Sequence, residues 1–237
     1  MVSTDSFDIL HEDKYIIAIN KPPGILVHKT RLSEDTVFLL QQLRNQIGRH
    51  VYTIHRLDRA TSGVILFAKS AEVAAEVSKV FELRKVEKTY LAIVRGWIDD
   101  SGVIDKALSD EETRKLKPQD AITHYRCLSR SEIAHSIGNR YDTARFSLIE
   151  CKPVTGRRHQ IRKHLAHLRH PIIGDKKHGD VKQNKYFNAV FKIPFLCLHA
   201  HNLKFEHPFA AKAYDISAPV FDYFSQAIDV TRLTKGI

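Results

Sequence analysis

Apolar residues in this chain come in short blocks separated by charged or turn-forming stretches, and the spacing within each block predicts an element. Val64-Ile65-Leu66-Phe67-Ala68 is a continuous apolar run of strand length, the mark of a strand buried on both faces. Tyr15-Ile16-Ile17-Ala18-Ile19 predicts a first strand, and Lys21-Pro22-Pro23-Gly24 must then turn, because proline fixes φ and removes a ladder donor. Ile25-Leu26-Val27-His28 resumes an extended path. From Glu34 to Ile47 the apolar positions Val37, Leu40, Leu43 and Ile47 recur at helical spacing, with Gly48 as the stop. A second helix is expected from Ala71 to about Arg84, capped by Ser70, with Val73, Val77, Val80 and Phe81 inward. Thr89 to Trp97, Ala121 to Leu128 and Thr143 to Cys151 predict three more strands. The charge-rich stretch Asp99 to Asp120 is expected to be a mobile excursion. With no repeat, low-complexity tract or long linker, residues 1–237 are expected to form a single compact domain, and helices mixed with non-alternating strands give the class α+β.

Composition narrows the partners. The chain is 43% hydrophobic, enough for a substantial core, and its 37 Lys+Arg against 27 Asp+Glu leave a formal charge of +10, which favours a polyanion such as nucleic acid. No apolar stretch approaches the ~20 residues of a membrane span, and the first residues lack the basic and apolar segments of a signal peptide. A soluble, cytoplasmic protein is expected. Cys127, Cys151 and Cys197 are isolated, without a Cys-x-x-Cys pair, which fits a reducing compartment and argues against a cysteine zinc site.

The most informative segment is His55-Arg56-Leu57-Asp58-Arg59-Ala60-Thr61-Ser62-Gly63, which sets one carboxylate between two arginines on a loop leading into the buried strand. Flanking guanidiniums favour the ionised carboxylate, suiting Asp58 to attack or charge stabilisation rather than proton donation; the bland alternative is a surface ion pair of roughly 0–1 kcal/mol. Tyr90 follows Lys88-Thr89 at the head of a strand, where alternation sets Thr89, Leu91 and Ile93 on one face and Tyr90, Ala92 and Val94 on the other; taken alone, it fits a core tyrosine with a satisfied hydroxyl. In Lys152-Pro153-Val154-Thr155-Gly156-Arg157-Arg158-His159-Gln160-Ile161-Arg162-Lys163-His164-Leu165 the chain turns and enters a helix expected to end near Arg169. On it Arg158, Arg162 and Arg169 fall within about 40° of one another beside an apolar stripe, predicting half-buried arginines. His159, His164, His167, His170 and His178 invite a metal reading, but no His-Glu-x-x-His is present and no metal is expected.

Taken together, His-Arg-Leu-Asp-x-x-Thr-Ser-Gly, Lys-x-Tyr and Thr-Gly-Arg-x-His-Gln-Ile-Arg-x-His resemble the three motifs of the RluA-type pseudouridine synthases. Asn20-Lys21-Pro22-Pro23-Gly24-Ile25-Leu26-Val27-His28, His170-Pro171-Ile172-Ile173-Gly174-Asp175, Leu198-His199-Ala200 and His207-Pro208 extend the likeness from about Ile9 to Pro219. The resemblance implies a single catalytic domain with a mixed, largely antiparallel central sheet flanked by helices and loops. It also implies that the small S4 domain of larger members is absent, since the first motif begins at Asn20. By the same resemblance Asp58 is the catalytic residue, Tyr90 stacks on the target base, and Arg162 pairs with Asp58. Arg56, His55, His28, Lys21 and Arg158 are then expected around the substrate, with Arg56 able to occupy the place of a flipped base. No cofactor is implied, because isomerisation involves no redox or group-transfer step.

Ile47-Gly48-Arg49-His50-Val51, His164-Leu165-Ala166-His167-Leu168-Arg169-His170 and Lys176 to Asn184 resemble the branch of that family acting on tRNA, which implies the uridine at position 65; members acting on rRNA, or on both, are the alternative. Lys176, Lys177 and Lys182, in a basic insertion, are the expected tRNA contacts. A non-catalytic RNA-binding protein would use the same basic surface without needing Asp58, Tyr90 and Arg162, and a metal-dependent nuclease would reveal itself by chelator sensitivity. No obligatory protein partner is evident.

Overall fold

The computed structural model describes residues 6–28, 37–110, 115–137, 141–210 and 212–234. In chain order the elements are β1 (Ile9–Glu12), β2 (Ile16–Lys21), α1 (Leu39–Ile47), β3 (Tyr52–Thr53), β4 (Ser62–Ala68), α2 (Ala71–Glu82), β5 (Val86–Arg95), β6 (Ser101–Asp105), β7 (Leu108–Asp110) and β8 (Lys115–Gln119). They continue with β9 (Ile122–Ile133), β10 (Ala144–Pro153), α3 (Gln160–His167), α4 (Val181–Phe191), β11 (Leu198–His207), β12 (Lys212–Ser217) and α5 (Asp222–Val230). Helices thus mix with strands that do not alternate with them, and the class is α+β. The chain forms two compact units, Met1–Lys88 with Ala200–Pro219 and Thr89–His199 with Val220–Ile237; both are discontinuous in sequence.

In the first unit the strand order is β1-β2-β4-β11, with β12 on β11 and β3 on β4. Strands β2 and β4 pair antiparallel from Ile16↔Ala68 to Lys21↔Gly63, and every residue of both is buried, which explains runs that are continuously apolar rather than alternating. Ile16, Ala18, Val64 and Leu66 share a core with Val73 and Val77 of α2 and Leu203 and Phe205 of β11. The Ser70 hydroxyl accepts the Val73 N–H at 3.2 Å and caps α2 as its sequence predicts. Gly48 ends α1 in the left-handed region at φ 62°, also as expected. The inward face of α1 differs from the expectation: Leu39 and Leu43 are buried while Val37 lies before the helix and is exposed. Glu34 to Thr36, assigned to this helix from their spacing, lie outside the described residues.

In the second unit β5-β10-β9-β6 run in order, each neighbouring pair antiparallel. Asp99 to Asp120, expected as an excursion, instead carries β6 on β9 and the β7–β8 ladder. An edge strand is held by backbone hydrogen bonds and here buries only Ile104, so its remaining positions can be polar and weaken the hydrophobic signal.

Candidate active site

The loop before β4 is fastened to the turn after β2. Leu57 is buried, Asp58 is half-buried, Arg56 and Arg59 are exposed, and the Thr61 N–H closes the turn by donating to the Asp58 carbonyl at 3.1 Å. Two hydrogen bonds join the loop to Gly24: the Gly24 N–H donates to the Arg59 carbonyl at 2.8 Å, and Arg59 Nε donates to the Gly24 carbonyl at 2.9 Å. Lys21, expected to face RNA, is instead fully buried and cannot reach a phosphate. Its Nζ donates to the carbonyls of Pro22 at 2.9 Å, Arg59 at 3.2 Å and Thr61 at 2.8 Å, pinning the chain just after Asp58 to the turn after β2. The two sequence segments containing Lys21 and Asp58 are therefore one physical unit.

Burial pushes the Lys21 ammonium down to about 7, with the Asp58 charge opposing the shift and Arg59 adding to it. Because the folded value lies below the ordinary lysine value, the unfolded chain holds a proton that the folded chain releases above pH 7, so this group adds stability as pH rises from about 7 toward the unfolded lysine range. Denaturant unfolding of wild type and Lys21→Met at pH 7 and 9 should show wild type gaining on the variant by about 2 kcal/mol over that interval. Parallel pH profiles would refute this titration.

His55 also departs from its expected place. Its Nε2 accepts the Leu66 N–H at 3.1 Å, and its ring stacks on Phe81 with centroids 4.6 Å apart. Burial, then the nearby Lys88 charge, push it down to about 3, so it remains a neutral acceptor at physiological pH and offers no cation to RNA. His28 is half-buried, and its Nδ1 has no hydrogen-bond partner among the described residues.

In the second unit β5 starts at Val86, three residues before the expected Thr89, so Tyr90 lies mid-strand opposite Cys151. It is half-buried, whereas Leu91 to Val94 are all buried, and over those four residues the expected two-face alternation gives way to cover on both faces. The turn entering α3 is organised by Gln160, whose Oε1 accepts from the Thr155 hydroxyl at 2.7 Å and the Arg157 N–H at 2.9 Å. Its Nε2 donates to the Ile122 carbonyl at 2.9 Å and the Thr123 hydroxyl at 3.0 Å. A fully satisfied buried amide ties the loop to β9 and sets the start of the helix. Because α3 begins only at Gln160 and ends at His167, Arg158 and Arg169 lie outside it, and the expected stripe of half-buried arginines does not form: Arg162 is buried, Arg158 half-buried and Arg169 exposed.

Arg162 meets a residue to which its sequence gave no role. Its Nε donates to Asp175 Oδ2 and its Nη2 to Asp175 Oδ1, both at 2.8 Å, with both side chains almost wholly buried. Burial would raise the Asp175 carboxyl, but the Arg162 fork and the N–H groups of His178 and Lys177 outweigh it and hold the group below the usual carboxylate range. The signal available beforehand was Gly174-Asp175 within a motif-like segment; its partner lay thirteen residues away on another element.

Lys176, Lys177 and Lys182 are exposed, with Lys182 on α4, a helix not anticipated from sequence. Asp180 caps that helix by accepting the Lys182 and Gln183 N–H groups at 2.9 and 3.1 Å, and it pairs with Arg95. The histidines take local partners: His159 Nδ1 meets His178 Nε2 at 2.9 Å, and His164 lies 3.0 Å from both the Thr123 hydroxyl and the Lys106 carbonyl. Among the described residues no group of three or more His, Cys, Asp or Glu is placed to hold a metal ion, and no helix is long and apolar enough to cross a membrane.

The family model described as RNA pseudouridylate synthase matches residues 15–167, a span that contains Lys21, Asp58, Tyr90 and Arg162. The chain belongs to that family. It is accordingly a pseudouridine synthase, an enzyme of the isomerase class. It is similar to tRNA pseudouridine synthase C of Vibrio parahaemolyticus, 47% identical over 228 residues that cover 92% of each chain. The protein of the same name from Vibrio vulnificus is 46% identical over 231 residues, covering 94% of each. Among solved structures, human RNA pseudouridylate synthase domain containing 4 has a TM-score of 0.75 and 25% identity, over 96% of this chain and 94% of that one. That likeness across nearly the whole length agrees with the pseudouridine synthase domain expected from the motifs.

Proposed function

We propose that this pseudouridine synthase acts on tRNA, at the uridine in position 65, with Asp58, Tyr90 and Arg162 carrying the reaction. The observation with most weight is the full-length similarity to proteins named tRNA pseudouridine synthase C. Lys176, Lys177 and Lys182, all exposed, supply phosphate contacts in this reading, and Arg56, exposed beside Asp58, takes the place vacated by the flipped base. The free Cys151 and Cys197 thiols, both buried, suit a reducing cytoplasm.

A uridine within a helix presents neither C1′ nor C5 to an enzyme, so it must leave the stack at a cost of a few kcal/mol. The half-buried Tyr90 then stacks on the extruded base, an interaction worth roughly 1–3 kcal/mol. Asp58 assists cleavage of the bond between N1 and C1′ from its fastened loop, the uracil turns while held, C5 bonds to C1′, and the proton C5 then loses is balanced by one taken up at N1. The motif resemblance assigns Arg162 the role of orienting Asp58 and balancing its charge. The reaction isomerises its substrate and requires no cofactor.

The test is incubation of the purified protein with unmodified tRNA and, separately, rRNA fragments, followed by mapping of pseudouridine by carbodiimide-blocked primer extension. A stop at position 65 of tRNA is expected; modification of rRNA alone would replace the substrate, and modification of neither would remove the proposal. In the same tRNA, replacing Lys176, Lys177 and Lys182 by Ala should weaken binding and lower the salt slope by about one unit per lost phosphate contact.

A further inference from the structure

Asp175 is more heavily engaged than a structural ion pair requires. Besides both arms of the Arg162 fork, its Oδ1 accepts the N–H groups of Lys177 at 2.9 Å and His178 at 3.0 Å. The backbone beneath it is held as tightly: Asn184 Nδ2, from α4, donates to the Asp175 carbonyl at 2.8 Å, and Asn184 Oδ1 accepts the Gly174 N–H at 2.8 Å. Gly174 itself has φ 79° and passes so close to Phe195 that a Cβ would lie 1.8 Å from the Phe195 carbonyl oxygen. On the other side, the Ile173 N–H donates to the Ile93 carbonyl and the Cys197 N–H to the Ile173 carbonyl, anchoring the segment to β5.

A guanidinium gripped bidentately on Nε and one Nη has its plane and direction set, and its remaining N–H groups point where the carboxylate dictates. We propose that Asp175 is the positioning residue for Arg162, and that Asn184 sets Asp175 in turn, so that the basic helix α4 is built into the geometry of the reaction rather than serving only as an RNA contact. The inference rests on the reading that Arg162 takes part in pseudouridine formation. Asp175 touches no substrate in this account; it acts through Arg162. Without that grip Arg162 is misplaced, and a misplacement of about 1 Å lowers a rate by about 10²-fold.

The experiment is single-turnover conversion of unmodified tRNA, read as a rate constant and an amplitude, with tRNA Kd measured in parallel. A misfolded fraction lowers the amplitude, whereas a mispositioned arginine lowers the rate constant. Asp175→Asn keeps the shape of the side chain and loses its charge; it should slow the rate constant about 10²-fold with amplitude and Kd unchanged, and Asn184→Ala should slow it about tenfold. Normal rate constants in both, or a loss confined to amplitude or Kd, would overturn the proposal. If Asp175→Asn does not fold, Asn184→Ala decides by the same criteria. The double variant Arg162→Gln with Asp175→Asn removes both buried charges together and separates the underlying reading from this one. Wild-type rate in the double variant would remove Arg162 from the reaction, whereas a slow double variant beside normal single variants would leave Arg162 in place and dismiss Asp175 as its positioner.

Discussion

Asp58→Asn is expected to abolish pseudouridine formation, by more than about 10³-fold in the single-turnover rate, while leaving tRNA binding and thermal stability near wild type. Asparagine matches the size of the side chain, so what is lost is the charge. The loop has holds besides that side chain: Lys21 grips the Arg59 and Thr61 carbonyls, Gly24 and Arg59 exchange hydrogen bonds, and the Thr61 N–H closes onto the carbonyl of residue 58. A loss of about 10³-fold is about 4 kcal/mol of transition-state stabilisation, a magnitude accessible to a charge facing an electron-deficient sugar in a water-poor site. The measurement is pseudouridine formation over time beside equilibrium tRNA binding. Full turnover in the variant would remove Asp58 from the chemistry, and a matched loss of binding would make its role one of holding RNA.

The second large effect concerns folding. Gly63, the last residue of the Asp58 segment, has φ 110°, and a Cβ there would lie 2.2 Å from the Ala200 carbonyl oxygen and 2.6 Å from the Ala200 nitrogen. Both close atoms are backbone, in a strand that cannot yield by turning a rotamer. Gly63 also stands opposite Lys21 in the β2–β4 ladder, so moving it disturbs the ammonium that fixes the loop. Gly63→Ala combines the left-handed penalty of about 1–2 kcal/mol with forced separation of packed strands, and a total of several kcal/mol is expected. Against the 5–15 kcal/mol of a typical domain this is a large share. Denaturant unfolding and the soluble yield of the variant are the readouts; a stability within about 1 kcal/mol of wild type would show that the strands part more easily than their packing indicates.

Local features of the fold were largely legible. Ser70, Gly48 and the Val64 to Ala68 run act through their immediate neighbours, and the cap, the stop and the buried strand are where their chemistry puts them. The α3 helix was legible as an element but not in its extent, since Gln160, by bonding to Ile122 and Thr123 on a distant strand, delays its start and displaces Arg158 from the stripe. The same limit hid β6, whose pairing with β9 needs little apolar sequence of its own, and α4, whose cap Asp180 sits in a run of lysines.

For the site, the order of residues in the three motifs carried the resemblance that gave the family, which the family model bears out, and the same resemblance named Asp58, Tyr90 and Arg162 as candidates, since a motif is a one-dimensional pattern. Only the tertiary structure decided that Lys21 and His55 face inward as a clamp and a neutral acceptor, and that Arg162 is held by Asp175. The physical reason is that a polar side chain has the same sequence signature whether it meets solvent or a buried partner. Which it meets depends on backbone carbonyls, N–H groups and carboxylates brought to it from far along the chain by folding.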